Sequence, residues 1–211
     1  MSNIITRNGL ILAIFALCCT SLVASVNYLT ADRIIDQQRK QLTRVLQQII
    51  PQAMHDNALT DDCIAVIDEA YLGSDQSLSA YIAKQGDLPV AMAIEAIAPD
   101  GYNGDIKLII GVDNDNTLLG VRTLAHQETP GLGDKIDLRK SDWVLAFAGL
   151  VFNSNDKPLG VKKDGGNIDQ FTGATITPRA YVKAINNALT YVKNNRQMLY
   201  STVNQCGRDH D

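Results

Sequence analysis

Apolar and polar positions divide this 211-residue chain into three regimes. Residues 9–29 (GLILAIFALCCTSLVASVNYL) carry no charged side chain. A helix of about twenty such residues spans the hydrocarbon core of a bilayer. The stretch is too long for the apolar part of a cleaved signal peptide, which predicts a retained membrane anchor. Helical spacing then continues through Ile34, Ile35, Leu42, Val45, Leu46, Ile49 and Ile50 and stops at Pro51. The middle of the chain changes period. LSAYIAK, LPVAMAIEAIA, DIKLIIGV and TLLGVRTLAHQ are short strand-like runs, and in the third Ile106, Leu108, Ile110 and Val112 share one face. PDGYNG and DNDN separate them as turns, and LGSDQS (72–77) precedes them as a turn or loop. Near the end Val182, Ile185, Leu189 and Val192 return to helical spacing. The expected organisation is a short N-terminus (1–8), a transmembrane helix (9–29), a juxtamembrane helix (30–50), one folded domain (51–197) and a polar, loosely ordered tail (198–211).

Charge and cysteine usage narrow the function classes. The formal net charge is -4 and no basic stripe is present, so nucleic acid is not an expected partner. Positive residues flank the apolar stretch on both sides (Arg7; Arg33, Arg39, Lys40), so charge alone leaves its orientation open. Cys18 and Cys19 lie within the anchor, and Cys63 and Cys206 are the only thiols beyond it. No C-x-x-C occurs, and His55, His126 and His210 show neither metal nor triad spacing, so no metal site is expected. DNDN is not a calcium loop, because Leu118 and Leu124 occupy the positions that need glycine and glutamate. No dinucleotide or phosphate-loop glycine motif is present.

Two loops remain as candidate chemistry. HQETPGLGDKI (126–136) breaks regular structure while gathering Glu128 and Thr129 next to Gly131 and Gly133, which can present bare backbone. A long turn and a binding loop both fit it. DQFTGATITP (169–178) sets small residues ahead of a helix. Thr177-Pro178 predicts the helix start, with the Thr177 hydroxyl as cap and proline at the first helical position. A plain cap is one reading of this loop. The other is an anion site, since a helix start favours phosphate.

Taken together, ETPGLG, DQFTGAT and the single N-terminal span resemble the bacterial FMN-binding domain family. Within it they are most similar to the G-subunit family of Rnf (Rsx) ion-translocating electron-transport complexes. Asp169, Thr172, Gly173, Ala174 and Thr175 match the pattern that a flavin transferase recognises, with Asp169 as the recognition aspartate. The resemblance implies FMN, donated by FAD, esterified through its phosphate to the Thr175 hydroxyl. It implies that Thr172, Gly173, Ala174, Glu128, Thr129, Leu132 and Gly133 surround the same flavin, and that no side chain acts as a catalytic acid or base.

The resemblance also implies an α+β fold of antiparallel sheet with packed helices. It implies a single-pass protein of the bacterial inner membrane with its soluble domain in the periplasm. The expected partners are the other subunits of an Rnf/Rsx-type complex and, during maturation, the transferase. The implied role is electron transfer within a translocase, with no stand-alone catalysis. The oxidising periplasm would permit Cys63 and Cys206 to pair, but the sequence gives no distance between them and free thiols are the expectation. Two other readings stay in view: the C subunit of a sodium-translocating NADH:quinone reductase, which shares both motifs, and a membrane-tethered binding or scaffold protein whose FTGAT is only a helix cap.

Overall fold

The computed structural model describes residues 2–153 and 159–205. It separates into two compact units, residues 1–42 and Thr43 onward. The first unit consists of the greater part of α1 (Ser2–Ile49), and its side chains are almost all exposed. Among the described residues α1 is the one helix long and apolar enough to cross a bilayer, with a mean hydropathy of 2.4 over its most apolar window. An exposed surface of Leu, Ile, Val and Phe is stable in lipid and not in water. The expected transmembrane and juxtamembrane helices are therefore stretches of one continuous helix.

The second unit is built on a five-stranded antiparallel meander in the order β1 (Cys63–Asp68), β2 (Ser74–Gln85), β3 (Leu88–Ala98), β4 (Ile106–Asp113) and β5 (Leu118–Ala125). Four of these strands sit on the runs read from the sequence. The fifth, β1, is not among those runs. A four-residue helix, α2 (Glu69–Leu72), links it to β2. The stretch read as a turn at 72–77 belongs mainly to β2, because Gly73, at φ 74°, completes the reversal in one residue.

One face of the sheet carries the main core. Ile106, Leu108, Ile110 and Val112 pack with Tyr181, Ile185, Leu189 and Val192 of α3 (Ile176–Ser201). Alternation along a strand sends the intervening residues to the opposite face. There Tyr81, Ala93, Gly111 and Gly120 align in register across β2 to β5. The last turns of α1 lie on this row of mostly small residues. Leu46, Ile49 and Ile50 are buried, and a Cβ added to Gly111 would meet Ile49 Cγ2 at 2.1 Å. Gln48 Oε1 accepts a hydrogen bond from Arg122 Nε at 3.1 Å. The folded domain thus begins inside the helix at Thr43, not at Pro51.

The chain end also differs from expectation. α3 runs to Ser201 with Leu199 buried, so residues 198–201 are not a loose tail. Beyond it, Gln205 N–H donates to the Cys63 carbonyl at 2.8 Å and Asn204 Oδ1 accepts from Cys63 N–H at 3.2 Å. These contacts satisfy part of the open edge of β1, which would otherwise present unpaired backbone groups. Cys63 is disulfide-bonded, contrary to the expectation of a free thiol. Cys206 lies outside the described residues.

Candidate functional site

The two loops singled out in the sequence meet at the start of α3. They line a cavity of about 270 Å³ bounded by Tyr102, Glu128, Thr129, Leu132, Gly133, Gly173, Ala174, Thr175, Ile176 and Thr177. Sequence separation hides this meeting, since β5 delivers residues 126–133 and a long irregular segment delivers residues 172–177.

Each loop owes its shape to identifiable backbone choices. After β5, the Thr129 carbonyl accepts from the N–H groups of Leu132 and Gly133, both at 3.1 Å, and folds TPGLG back on itself. Gly131 takes φ 76° at the bend, a region that glycine enters without steric cost. In the second loop, Ala174 N–H returns to the Phe171 carbonyl at 3.4 Å, closing a turn. Gly173 sits within it at φ 84°, as the third position of a type II turn requires. This turn is anchored from below. Trp143 packs edge-on against Phe147, Phe171 and Tyr181 at 4.9–5.5 Å between ring centroids, and its Nε1–H donates to the Asp169 carbonyl at 2.6 Å. Trp143 is accordingly a half-buried clamp on the loop as well as part of the core wall.

The helix start departs from the expected cap. α3 begins at Ile176, so Thr175 holds the N-cap position, and its side chain caps no backbone N–H. Pro178 is the third helical residue, not the first. Thr177 is fully buried and does not take the role assigned to it: its hydroxyl donates to Glu128 Oε2 at 2.5 Å. Buried threonine bound to a buried carboxylate is a more favourable arrangement than a solvated cap, because the carboxylate otherwise loses its hydration without replacement. No side chain caps the start of α3, the positive end of a 26-residue helix, and its residues Ile176 and Thr177 line the cavity.

Gly133 does not offer bare backbone to a ligand in the simple way expected. A Cβ there would stand 2.6 Å from Glu128 Oε2 and 2.8 Å from Thr177 Oγ1, so glycine is required by the Glu128–Thr177 contact itself. Thr172 and Asp169 lie outside the cavity lining. Both are exposed, and Lys162 Nζ pairs with Asp169 Oδ1 at 2.5 Å. The sequence reading missed Tyr102, Ile176 and Thr177 as wall residues. Tyr102 and Ile176, like Leu132, leave 42–66% of their surface exposed, giving the cavity an apolar rim. An aromatic side chain on the glycine-rich PDGYNG turn was the available signal for Tyr102.

The chemistry of this lining suits one kind of ligand. It combines apolar rim, close backbone approach at Gly173, helix N–H groups and a hydroxyl, with no lysine or arginine among the lining residues. A flat apolar ring with a phosphate at one end fits that set.

Comparison with known proteins agrees. A family model of the FMN-binding domain matches residues 101–190, and one of the RnfG N-terminal region matches residues 1–49. The G subunit of the ion-translocating oxidoreductase complex of Shewanella baltica is 58% identical over 100% of both chains. Its namesake from Vibrio atlanticus is 57% identical over 98% of this chain and 99% of its own. Among solved structures, NqrC of Shewanella oneidensis superposes with a TM-score of 0.57 at 15% identity, covering 79% of this chain and 100% of that one. The C subunit of the Na(+)-translocating NADH-quinone reductase of Parabacteroides distasonis gives 0.53 at 20% identity, covering 83% and 98%. At such identities the likeness to the C subunits is one of fold, whereas the likeness to the G subunits extends along the whole sequence.

Proposed function

Since the chain belongs to the family of G subunits of ion-translocating oxidoreductase complexes, we propose that it carries FMN on the Thr175 hydroxyl and passes electrons between neighbouring subunits at the periplasmic face of the inner membrane. It is a membrane-anchored component of a translocase, working with the other subunits of an Rnf-type complex, and it bears an FMN-binding domain. When bound, FMN supplies the electron-transfer chemistry, and the protein supplies position and electrostatics.

One observation carries the covalent reading. Thr175 stands in the wall of the cavity at the N-cap of α3, with its side chain capping nothing. A free flavin phosphate carries roughly -1.5 to -2 charges at neutral pH. The wall offers no cationic side chain to neutralise them, and it already contains the Glu128 carboxylate. Esterification lowers the phosphate to a single charge, which helix N–H groups can accommodate, and it replaces ionic affinity with a bond. In the maturation step the Thr175 oxygen attacks the flavin-side phosphorus of FAD. The P–O bond to the adenylate breaks, AMP leaves, and the hydroxyl proton goes to solvent. Asp169, exposed and close in sequence to the acceptor, is suited to recognition by the transferase. The periplasmic assignment draws support from the Cys63 disulfide, which persists in an oxidising compartment.

The test is Thr175→Ala in protein made together with its transferase, followed by denaturing electrophoresis with in-gel flavin fluorescence. The substitution is expected to abolish covalent flavin, while Thr175→Ser retains some and Thr172→Ala slows loading without removing the attachment atom. Peptide mass spectrometry that located the adduct on Thr172 or Thr177 would refute the assignment. If the parent protein carried no flavin, the helix-cap reading would stand.

A further inference from the structure

Glu128 lines the flavin cavity, yet its carboxylate is already engaged within the protein. Oε2 accepts from Thr177 Oγ1 at 2.5 Å and Oε1 accepts from the Asn103 backbone N–H at 3.1 Å. The residue is 4% exposed. Backbone closes on it from two sides: a Cβ at Gly101 would come within 2.9 Å of Oε1, and one at Gly133 within 2.6 Å of Oε2. A carboxylate buried in this way is stable only while its donors hold. Its donors come from two different walls of the cavity, the β3–β4 turn that carries Tyr102 and the first turn of α3.

We propose that Glu128 is a positioning residue of the flavin site and not a ligand of the flavin. It ties three segments together: the turn at 99–105, the loop at 126–133 and the start of α3. By holding Thr177 it sets the orientation of the helix N-terminus, and with it the Thr175 hydroxyl two residues earlier. By holding Asn103 N–H it sets Tyr102 on the opposite wall. Asn103 Nδ2 adds a second bond across the same seam, to the Gln127 carbonyl at 2.6 Å. The proposal rests on the covalent-flavin reading, because it assigns to Glu128 the presentation of that acceptor.

The experiment uses the full chain in detergent, incubated with FAD and purified flavin transferase, and follows covalent flavin against time. Glu128→Gln leaves one acceptor oxygen where two are used, so the side chain can no longer accept from both Thr177 and the Asn103 N–H, and Thr177→Val removes the hydroxyl at nearly constant shape. Each is expected to slow loading about tenfold or more, as small misplacements of a reacting group do. The double variant is expected to load no more slowly than the slower single one, since both changes act on one hydrogen-bonded unit. Thr177→Ser, which keeps the hydroxyl, is expected to recover loading relative to valine. The flavin absorption maxima of whatever loads are expected to match the parent's. A Glu128→Gln protein that loads at the parent rate overturns the proposal, as do single effects that multiply in the double variant. An absorption shift in Glu128→Gln without one in Thr177→Val also overturns it, by revealing direct contact with the ring. If Thr177→Val fails to fold by circular dichroism, Glu128→Gln and Thr177→Ser decide on the same terms. A parent that never loads refutes the covalent reading and this proposal with it, whereas a loading parent with an unaffected Glu128→Gln removes only the role of Glu128.

Discussion

At the residue scale the site depends on single atoms present or absent. Gly133→Ala places a methyl group between Glu128 and Thr177, 2.6 Å and 2.8 Å from their oxygens. Overpacking of this kind costs about 1–3 kcal/mol, and thermal unfolding of the full chain in detergent is expected to show a loss in that range. Thr175→Ala removes a hydroxyl that caps no N–H. Its stability cost is therefore expected within about 1 kcal/mol, measured in the same way on unloaded protein, even though the proposed attachment would be lost completely. Asp137 gives a pH-dependent case. The Arg139 guanidinium hydrogen-bonded to it holds its carboxyl below the usual carboxylate range, against the opposing effect of burial. A depressed folded value means that the contribution is present above the unfolded value, about 4, and is lost as pH falls through the folded one. Asp137→Asn is expected to be less stable than the parent by up to about 1 kcal/mol at pH 7, with the difference closing below about pH 4. A deficit that stayed constant across that range would assign the loss to packing.

At the element scale the unexpected feature is the seat of the end of α1 on the sheet. Ile49 fits there because β4 and β5 place Gly111 and Gly120 opposite one another. Gly111→Ala sets a Cβ 2.1 Å from Ile49 Cγ2. The contact must be relieved by moving the helix end, at a cost of about 1–3 kcal/mol. Combining it with Ile49→Ala is expected to cost less than the sum of the two, since the second change removes the group that the first one strikes. Additive losses in denaturant unfolding would show that the helix end is not seated on this glycine. The sequence displayed the helix and the strands but not their contact. Ile49 reads as one more apolar position of a juxtamembrane helix, and Gly111 as an interruption in an apolar strand. Only the register of β3, β4 and β5 turns separate small residues into a groove.

At the scale of the whole molecule, the proposed orientation puts the folded domain in the periplasm, on the single span that α1 provides among the described residues. A reporter active only in the cytoplasm, fused after Asp211, is expected to stay silent, and strong signal from it would reverse the orientation. Labelling of unreduced, denatured protein with a thiol reagent is expected to spare Cys63 and to modify it after reduction. Labelling before reduction would show that the disulfide does not form.

Order along the chain was enough to reveal the membrane span, the antiparallel character of the domain, the final helix and the two loops that carry the chemistry. Each of these is a local signal: uninterrupted apolar length, period two, period 3.6, and small residues before a helix start. Glu128, Thr129, Gly131, Gly133, Gly173 and Ala174 were legible as loop residues for the same reason, whereas Leu132 and the acceptor role of Thr175 came only with the family resemblance. Contacts between distant segments settled the rest. Thr177 has the sequence of a cap, but Glu128, 49 residues earlier, takes its hydroxyl, because a buried carboxylate gains more from that donor than an exposed helix end gains from a cap. Tyr102 joins the cavity because Asn103, its neighbour, is bound to the same carboxylate. The N-cap thereby falls to Thr175, whose side chain is left uncommitted at the mouth of the cavity.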